Sequence, residues 1–405
     1  MKKVKIVGIG VGNSCYLHNK SLSTVENSDF LIGAKRMIDS FDYLNKESFL
    51  SINADEIYDF IISDKSHENY CVLVSGDTGF YSLSNKLTGM LMDNKEIEIE
   101  NIPAVSSLQY FCSRLNISWD NIKITSVHGR NFNFISSVMF NKKTFMLTGG
   151  SLKPDDICKI LISKGLGNLK VSVGENLSYD NERIFEDSAK NISQMKFDSL
   201  AVIIVHNDDA IDISEGFRSI RDDEFITGKT PMTKSEVRTV SISKLNLRSD
   251  STVYDVGAGT GSVSIEAALK LSNGTLYAIE KNDDAVDLIK KNIKKFKAFN
   301  VEVIKNTAPE GLENLPRPNC VFIGGSSGNL DKIIETVLCK NPWVNVVINT
   351  ITLESLNESL VCMEKYKFEN VEIVNVAVSK AKKAGSYNLM IGQNPIYVIS
   401  GRGSG

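Results

Sequence analysis

Residues 253–261 read VYDVGAGTG: an apolar run reaches an acid, and after one more valine three glycines follow at alternate positions. Few folds accommodate that pattern. The run is read as a buried strand, and glycines directly after it mark a turn whose backbone must come close to something else. A similar run, VGIGVG, stands at residues 7–12. A chain of 405 residues has room for about two or three domains of roughly 150 residues. Each glycine run is therefore read as the head of its own domain.

The pattern along the chain supports two units. β-rich runs at 4–7, 29–32, 71–74, 96–99, 122–125, 144–147, 169–173 and 200–205 alternate with amphipathic segments such as 105–116 and 154–164. The last of these opens on Pro154, which suits a first helical turn. After Val205 the chain turns polar, acidic and turn-rich. A second set of strands follows at 252–256, 275–280, 301–305, 320–324, 344–349, 371–378 and 387–400. Alternation of this kind predicts an α/β protein with mostly parallel sheets. Five strands with intervening helices and a closing pair predict that the second unit is a doubly wound sheet with an antiparallel edge. The expected domains are 1–212 and 228–405, with a linker at 213–227.

Composition excludes several classes. The formal net charge of −3 gives no bulk attraction to nucleic acid or anionic lipid. No apolar run approaches the roughly 18 residues of a membrane span, and the basic start passes into glycines, as a first strand does; a cytoplasmic protein is expected. Seven scattered cysteines without a CxxC pair fit reduced thiols, and four isolated histidines give no metal-ligand spacing. No metal site is expected. KKNIKKFK (290–297) is basic, yet Ala285, Leu288, Ile289, Ile293 and Phe296 recur at helical spacing, so its lysines are the wet face of a helix.

In a doubly wound sheet the ligand lies beyond the carboxyl ends of the strands. Gly257, Gly259 and Gly261 let the backbone approach it, and a helix opening near Ser262 favours an anion. A dinucleotide fingerprint needs a final glycine where this chain has Ser262. The spacing is the GxGxG usual in S-adenosylmethionine (SAM) methyltransferases. Glu280, ending the next strand, stands where an acid can accept both ribose hydroxyls. Singly, a glycine turn or a strand-end acid is commonplace; in register they point to a nucleoside cofactor.

Longer blocks sharpen this reading. PMTKSEVR (231–238), NTAPEGL (306–312), VFIGGSSGNLDKIIE (321–335) and the late VNVAVSKAKKAGSYNLMIGQNPIYVI resemble the C15-methylating, decarboxylating methyltransferases of cobalamin biosynthesis over about 222–400. SGDTGFYSL (75–83), IPAVSSLQYFCSRLNISWDN (102–121), SVHGR (126–130) and VGENLSYDNERI (173–184) resemble the C5-methyltransferases of the same pathway. Fused, the halves resemble the bifunctional precorrin-6Y C5,15-methyltransferases. The resemblance implies a two-lobed tetrapyrrole methylase fold followed by a Rossmann-like class I SAM-methyltransferase domain, with SAM as cofactor and a polycarboxylate tetrapyrrole as substrate. It implies SAM contacts from Gly76, Asp77, Ser106 and Ser107 in the first half, with Gly8, Gly10 and Gly12 shaping the substrate side. In the second half it implies Thr233, Gly257, Ala258, Gly259, Thr260, Gly261, Glu280 and Ala308. Relatives carry proline where this chain has Val11, and often where it has Thr78, which loosens both turns. A homo-oligomer is expected by the same analogy.

A polyanionic substrate calls for arginine and lysine near each cleft. Arg130, Arg238 and the lysines of residues 380–383 are the candidates, His128 a candidate proton carrier, and Glu266 a residue that faces either substrate or solvent. Each also has an ordinary structural reading. No GxSxG elbow or Cys–His pair suggests a side-chain nucleophile. An RNA methyltransferase would show a basic face interleaved with aromatics, which this chain lacks. A nicotinamide dehydrogenase is disfavoured by Ser262. A non-catalytic SAM sensor would not need the substrate-side blocks. The Lys-, Asn- and Ile-rich composition of an AT-rich genome favours the cobalt-containing substrate of the anaerobic route over the metal-free one.

Overall fold

The computed structural model describes residues 1–127, 134–148, 152–212 and 219–405. These fall into two compact units, Met1–His128 with Phe145–His206 and Gly129–Thr144 with Asn207–Gly405. Along the chain the first unit's last residue is His206. The helix Phe134–Phe140 groups with the second unit, where its Val138 carbonyl accepts from Asn207 Nδ2 at 2.8 Å.

In the first unit, β1 (Lys2–Gly8), β2 (Phe30–Gly33), β3 (Glu47–Leu50), β4 (Asn69–Val74) and β5 (Ile97–Ile102) form a sheet in the order β3-β2-β4-β1-β5. All its pairs are parallel. Successive residues of β4 serve opposite faces: Val72 and Val74 join one core cluster, Cys71 and Leu73 the other. A strand buried on both sides has to be a continuous apolar run, which is why β4 is legible. The second sheet runs β6-β7-β10-β8-β9 through β6 (Lys123–Ser126), β7 (Lys143–Leu147), β8 (Lys170–Glu175), β9 (Arg183–Ser188) and β10 (Ala201–His206). There β8 pairs antiparallel with both β9 and β10.

The second unit holds β11 (Thr252–Val256), β12 (Thr275–Glu280), β13 (Val301–Lys305), β14 (Cys320–Ile323), β15 (Asn345–Thr350) and β16 (Glu369–Val376). With β19 (Ile396–Arg402) they form one sheet, in the order β13-β12-β11-β14-β15-β19-β16. Five strands are parallel, and β19 runs antiparallel to β15 and β16. Strand order reverses beside β11, which puts the ligand-binding crevice at the loop after it. The stretch read as one strand at 387–400 is two: β18 (Tyr387–Gly392) pairs with β17 (Ser379–Ala384) as a separate hairpin, and the chain re-enters the sheet after Pro395. Strands β3 and β9 escaped the sequence reading, as did β17; β3 and β9 are edge strands with largely exposed side chains.

All of the basic segment but Lys297, the C-cap, lies within the helix Asp283–Phe296, which buries Ala285, Val286, Leu288 and Ile289. It also buries Asn292, whose Nδ2 donates to the carbonyls of Ile226 and Thr260 at 3.0 Å each, tying the glycine loop to the helix. No helix among the described residues is long and apolar enough to cross a membrane.

Candidate functional site

Beyond the carboxyl ends of the second unit's strands lies a cavity of about 600 Å3. Its floor is the glycine loop. Gly257 has φ +73°, and a Cβ there would lie 2.6 Å from the Gly325 carbonyl oxygen, so the loops after β11 and β14 meet backbone to backbone. Gly257 and Ala258 donate their amides to the Ile279 carbonyl at 3.0 and 3.2 Å. Glu280 completes the stitching: one carboxylate oxygen accepts from the Gly259 amide and the other from the Asn282 amide, both at 2.9 Å. Each oxygen retains a lone pair, and Glu280 faces the cavity.

Thr233, Gly257, Ala258, Gly259, Glu280 and Ala308 all line this cavity. Thr260 and Gly261 do not. Thr260 is buried beneath the loop, and Gly261, at φ +77°, caps the helix Ser262–Ala268. Their backbones hold the turn: the Thr260 carbonyl accepts from Asn292 Nδ2 at 3.0 Å and the Gly261 amide donates to the Ala258 carbonyl at 2.8 Å. Sequence reading missed Asn306, Gly324, Ser327, Asn349 and Gln393, which also line the cavity, as do Lys234 and Lys281. Lys281 Nζ bridges to Ser327 Oγ at 2.9 Å. Polar residues on the loops after successive parallel strands were the available signal.

Two candidates need correction. Arg238 is fully buried, and its guanidinium is occupied on every side. Nε donates to Glu266 at 2.7 Å, Nη1 to the Thr233 carbonyl at 2.7 Å and to Asp222 at 3.2 Å, and Nη2 to the Ile220 carbonyl. Phe225 packs across it with its ring centroid 4.9 Å away. Glu266 is buried too, and accepts the Ile220 amide at 3.2 Å. Neither side chain lines the cavity; the pair braces the Thr233 segment against the helix that follows the glycine loop. Lys380 is also engaged, with Glu236 at 2.9 Å, while Lys382 and Lys383 are exposed on β17 away from the cavity.

The first unit has a smaller cavity of about 330 Å3, lined by Gly10, Gly76 and Ser107 among others. Gly10 and Gly76 exchange backbone hydrogen bonds at 3.2 and 2.9 Å, lashing the loops after β1 and β4 together. A Cβ on Gly8 would lie 2.7 Å from the Gly76 carbonyl. Asp77 does not line the cavity. Its carboxylate accepts from the Gly79 and Ala104 amides at 2.9 and 3.0 Å, fixing the turn. Ser106 is likewise structural, the N-cap of the helix Ser107–Arg114 in a capping box with Gln109. Val11, read as loosening its turn, is pinned through its backbone: its carbonyl accepts from Ser178 Oγ at 3.0 Å. His128 and Arg130 lie outside the described residues.

Asp255, the penultimate residue of β11, is buried, and burial pushes its carboxyl up to about 7; Ser264 Oγ donates to it and pulls the other way, while the Glu280 charge raises it further. The folded form therefore holds a proton that the unfolded chain releases near pH 3.8. Stability from this group is full below that pH and falls as pH rises to about 7, at roughly 1.4 kcal/mol per unit at most. Asp255→Asn should flatten that part of the profile, measured by urea denaturation from pH 4 to 7. Arg238→Ala should cost about 3–5 kcal/mol in the same assay, because it strands a buried carboxylate. A surface substrate-binding arginine would cost almost nothing.

Residues 224–401 match the precorrin methyltransferase domain, and residues 3–193 match the tetrapyrrole (corrin/porphyrin) methylases. A probable cobalt-precorrin-6B C15-methyltransferase (decarboxylating) of Saccharolobus solfataricus is 38% identical over 175 residues, 42% of this chain and 88% of that protein. Its counterpart in Methanocaldococcus jannaschii is 41% identical over 181 residues, 44% of this chain and 96% of that one. The crystal structure of a precorrin-6Y C5,15-methyltransferase from Geobacter metallireducens is 42% identical, covering 45% of this chain and 96% of that chain, with a TM-score of 0.44. Through its second half the chain belongs to the family of decarboxylating cobalt-precorrin-6B C15-methyltransferases, and its first half is a tetrapyrrole methylase domain.

Proposed function

We propose that the chain methylates a corrin precursor at C5 and C15 and removes the C12 acetate carboxyl as carbon dioxide, using SAM in both halves. The observation that carries this reading is the convergence of Thr233, the glycine loop, Glu280 and Ala308 on one cavity, in a chain of this family. The fit to SAM is chemical. Glu280 is held by two amides with lone pairs left for a ribose, and the glycines keep side chains out of the cradle. SAM supplies a sulfonium-activated methyl group.

The chain's own work is placement. The loops after β11 and β14 close the floor and exclude water, and Thr233, braced from below by Arg238, presents a hydroxyl for a carboxylate. No side-chain nucleophile is needed, because C5 and C15 of a reduced tetrapyrrole are enamine-like. For the C15 reaction the acetate arm must lie with its breaking C–C bond parallel to the ring π orbitals. The electron pair of that bond then enters the conjugated ring as carbon dioxide leaves.

Relatives named for cobalt-precorrin-6B, together with the composition, favour the cobalt-containing substrate. Self-association is part of the proposal. The two-stranded β17–β18 hairpin exposes Tyr387, Leu389, Met390 and Ile391, apolar surface that a second copy of the chain would cover.

Incubating the purified chain with SAM and either cobalt-loaded or metal-free precorrin-6B-type substrate, then measuring product mass, tests the reading. Two methyl additions with loss of one carbon dioxide are expected, faster on the cobalt form. SAM binding with no change in either substrate would contradict an enzyme and favour a sensor.

A further inference from the structure

We infer that Arg36 is the carboxylate-binding residue of the first unit's cavity, taking an acetate or propionate arm of the tetrapyrrole; this rests on the reading that such a ring is the acceptor. Arg36 follows β2 closely, at the carboxyl ends of the parallel sheet, and lines the cavity beside Val11, Ser75 and Gly76. Among the described residues lining that cavity it is the only charged one, and none is acidic. A lone cation on a cavity wall sets the sign of the ligand group that can sit there.

Its surroundings hold the guanidinium without neutralising it. One Nη donates to Ser75 Oγ at 3.3 Å and the other to Tyr179 Oη at 3.4 Å, both long bonds to neutral oxygens. Five other arginines, Arg114, Arg183, Arg221, Arg238 and Arg248, each have a carboxylate within 4.0 Å; no such pair is found for Arg36 among the described residues. Gly12 explains how Tyr179 comes to be there. At φ +116°, its Cβ would lie 2.3 Å from Tyr179 Oη, so any side chain would displace the phenol. A guanidinium steered by two hydroxyls keeps donors free for bidentate capture of a carboxylate, which a lysine cannot reproduce.

Arg36→Ala and Arg36→Lys in the full chain test this with two readouts. One is the equilibrium binding of uroporphyrin, a stable polycarboxylate ring; the other is the KM for C5 methylation of the cobalt-loaded substrate. Arg36→Ala is expected to weaken both by about 10- to 100-fold, with Arg36→Lys between, while SAM affinity stays within about twofold. Unchanged porphyrin affinity and unchanged KM would overturn the inference, as would a loss confined to SAM affinity. If the wild type transfers no methyl group yet Arg36→Ala still weakens porphyrin binding, the proposed activity falls and the carboxylate site stands.

Discussion

A single buried guanidinium organises the second unit. Arg238 sits at the point where the segment before the Ser235–Lys244 helix, the loop at Ile220–Asp222 and the helix after the glycine loop converge, and it donates to all three. A charge removed from water is tolerable only when its hydrogen-bonding capacity is met. Meeting it obliges Glu266, Asp222, Thr233 and Ile220 to hold fixed positions around it. Thr233 then faces the cavity and Glu266 cannot. The residue that looked like a substrate anchor is a positioning residue, acting on the cavity through the backbone it grips.

Both halves make room for a ligand in the same physical way, on different sheets. In each, loops leaving neighbouring parallel strands touch backbone to backbone where only glycine fits. In the second unit Gly257 meets Gly325; in the first, Gly8 and Gly10 meet Gly76. The contact closes the floor of a crevice and leaves its walls to polar and charged side chains. Those walls differ. Glu280, Lys234 and Lys281 give the second cavity both signs of charge, whereas Arg36 alone charges the described wall of the first.

Much of this was legible because burial writes itself into composition. Strands covered on both faces, such as β4 and β14, must be continuous apolar runs, and the amphipathic helix Asp283–Phe296 has to repeat its buried residues at helical spacing. Edge strands β3 and β9 carry no such obligation and were missed. At the sites, spacing identified the glycine loop and Glu280, because strand ends and turn geometry fix them locally. It could not separate Thr260, turned inward, from Gly259, facing the cavity, since one residue of turn decides between them. Nor could it show that Asp77 and Ser106 spend their polar atoms on neighbouring amides, because those partners are set by the loop's own folding. Arg36 needed the three-dimensional arrangement: its partners Ser75 and Tyr179 are remote in sequence.

The proposed function requires two separate SAM sites on one chain, built on different sheets. Calorimetric titration of the full chain with S-adenosylhomocysteine addresses it directly. Two sites per chain are expected, with Glu280→Ala removing one and leaving the other unchanged. A single site in the wild type, or two sites that both survive Glu280→Ala, would contradict the account.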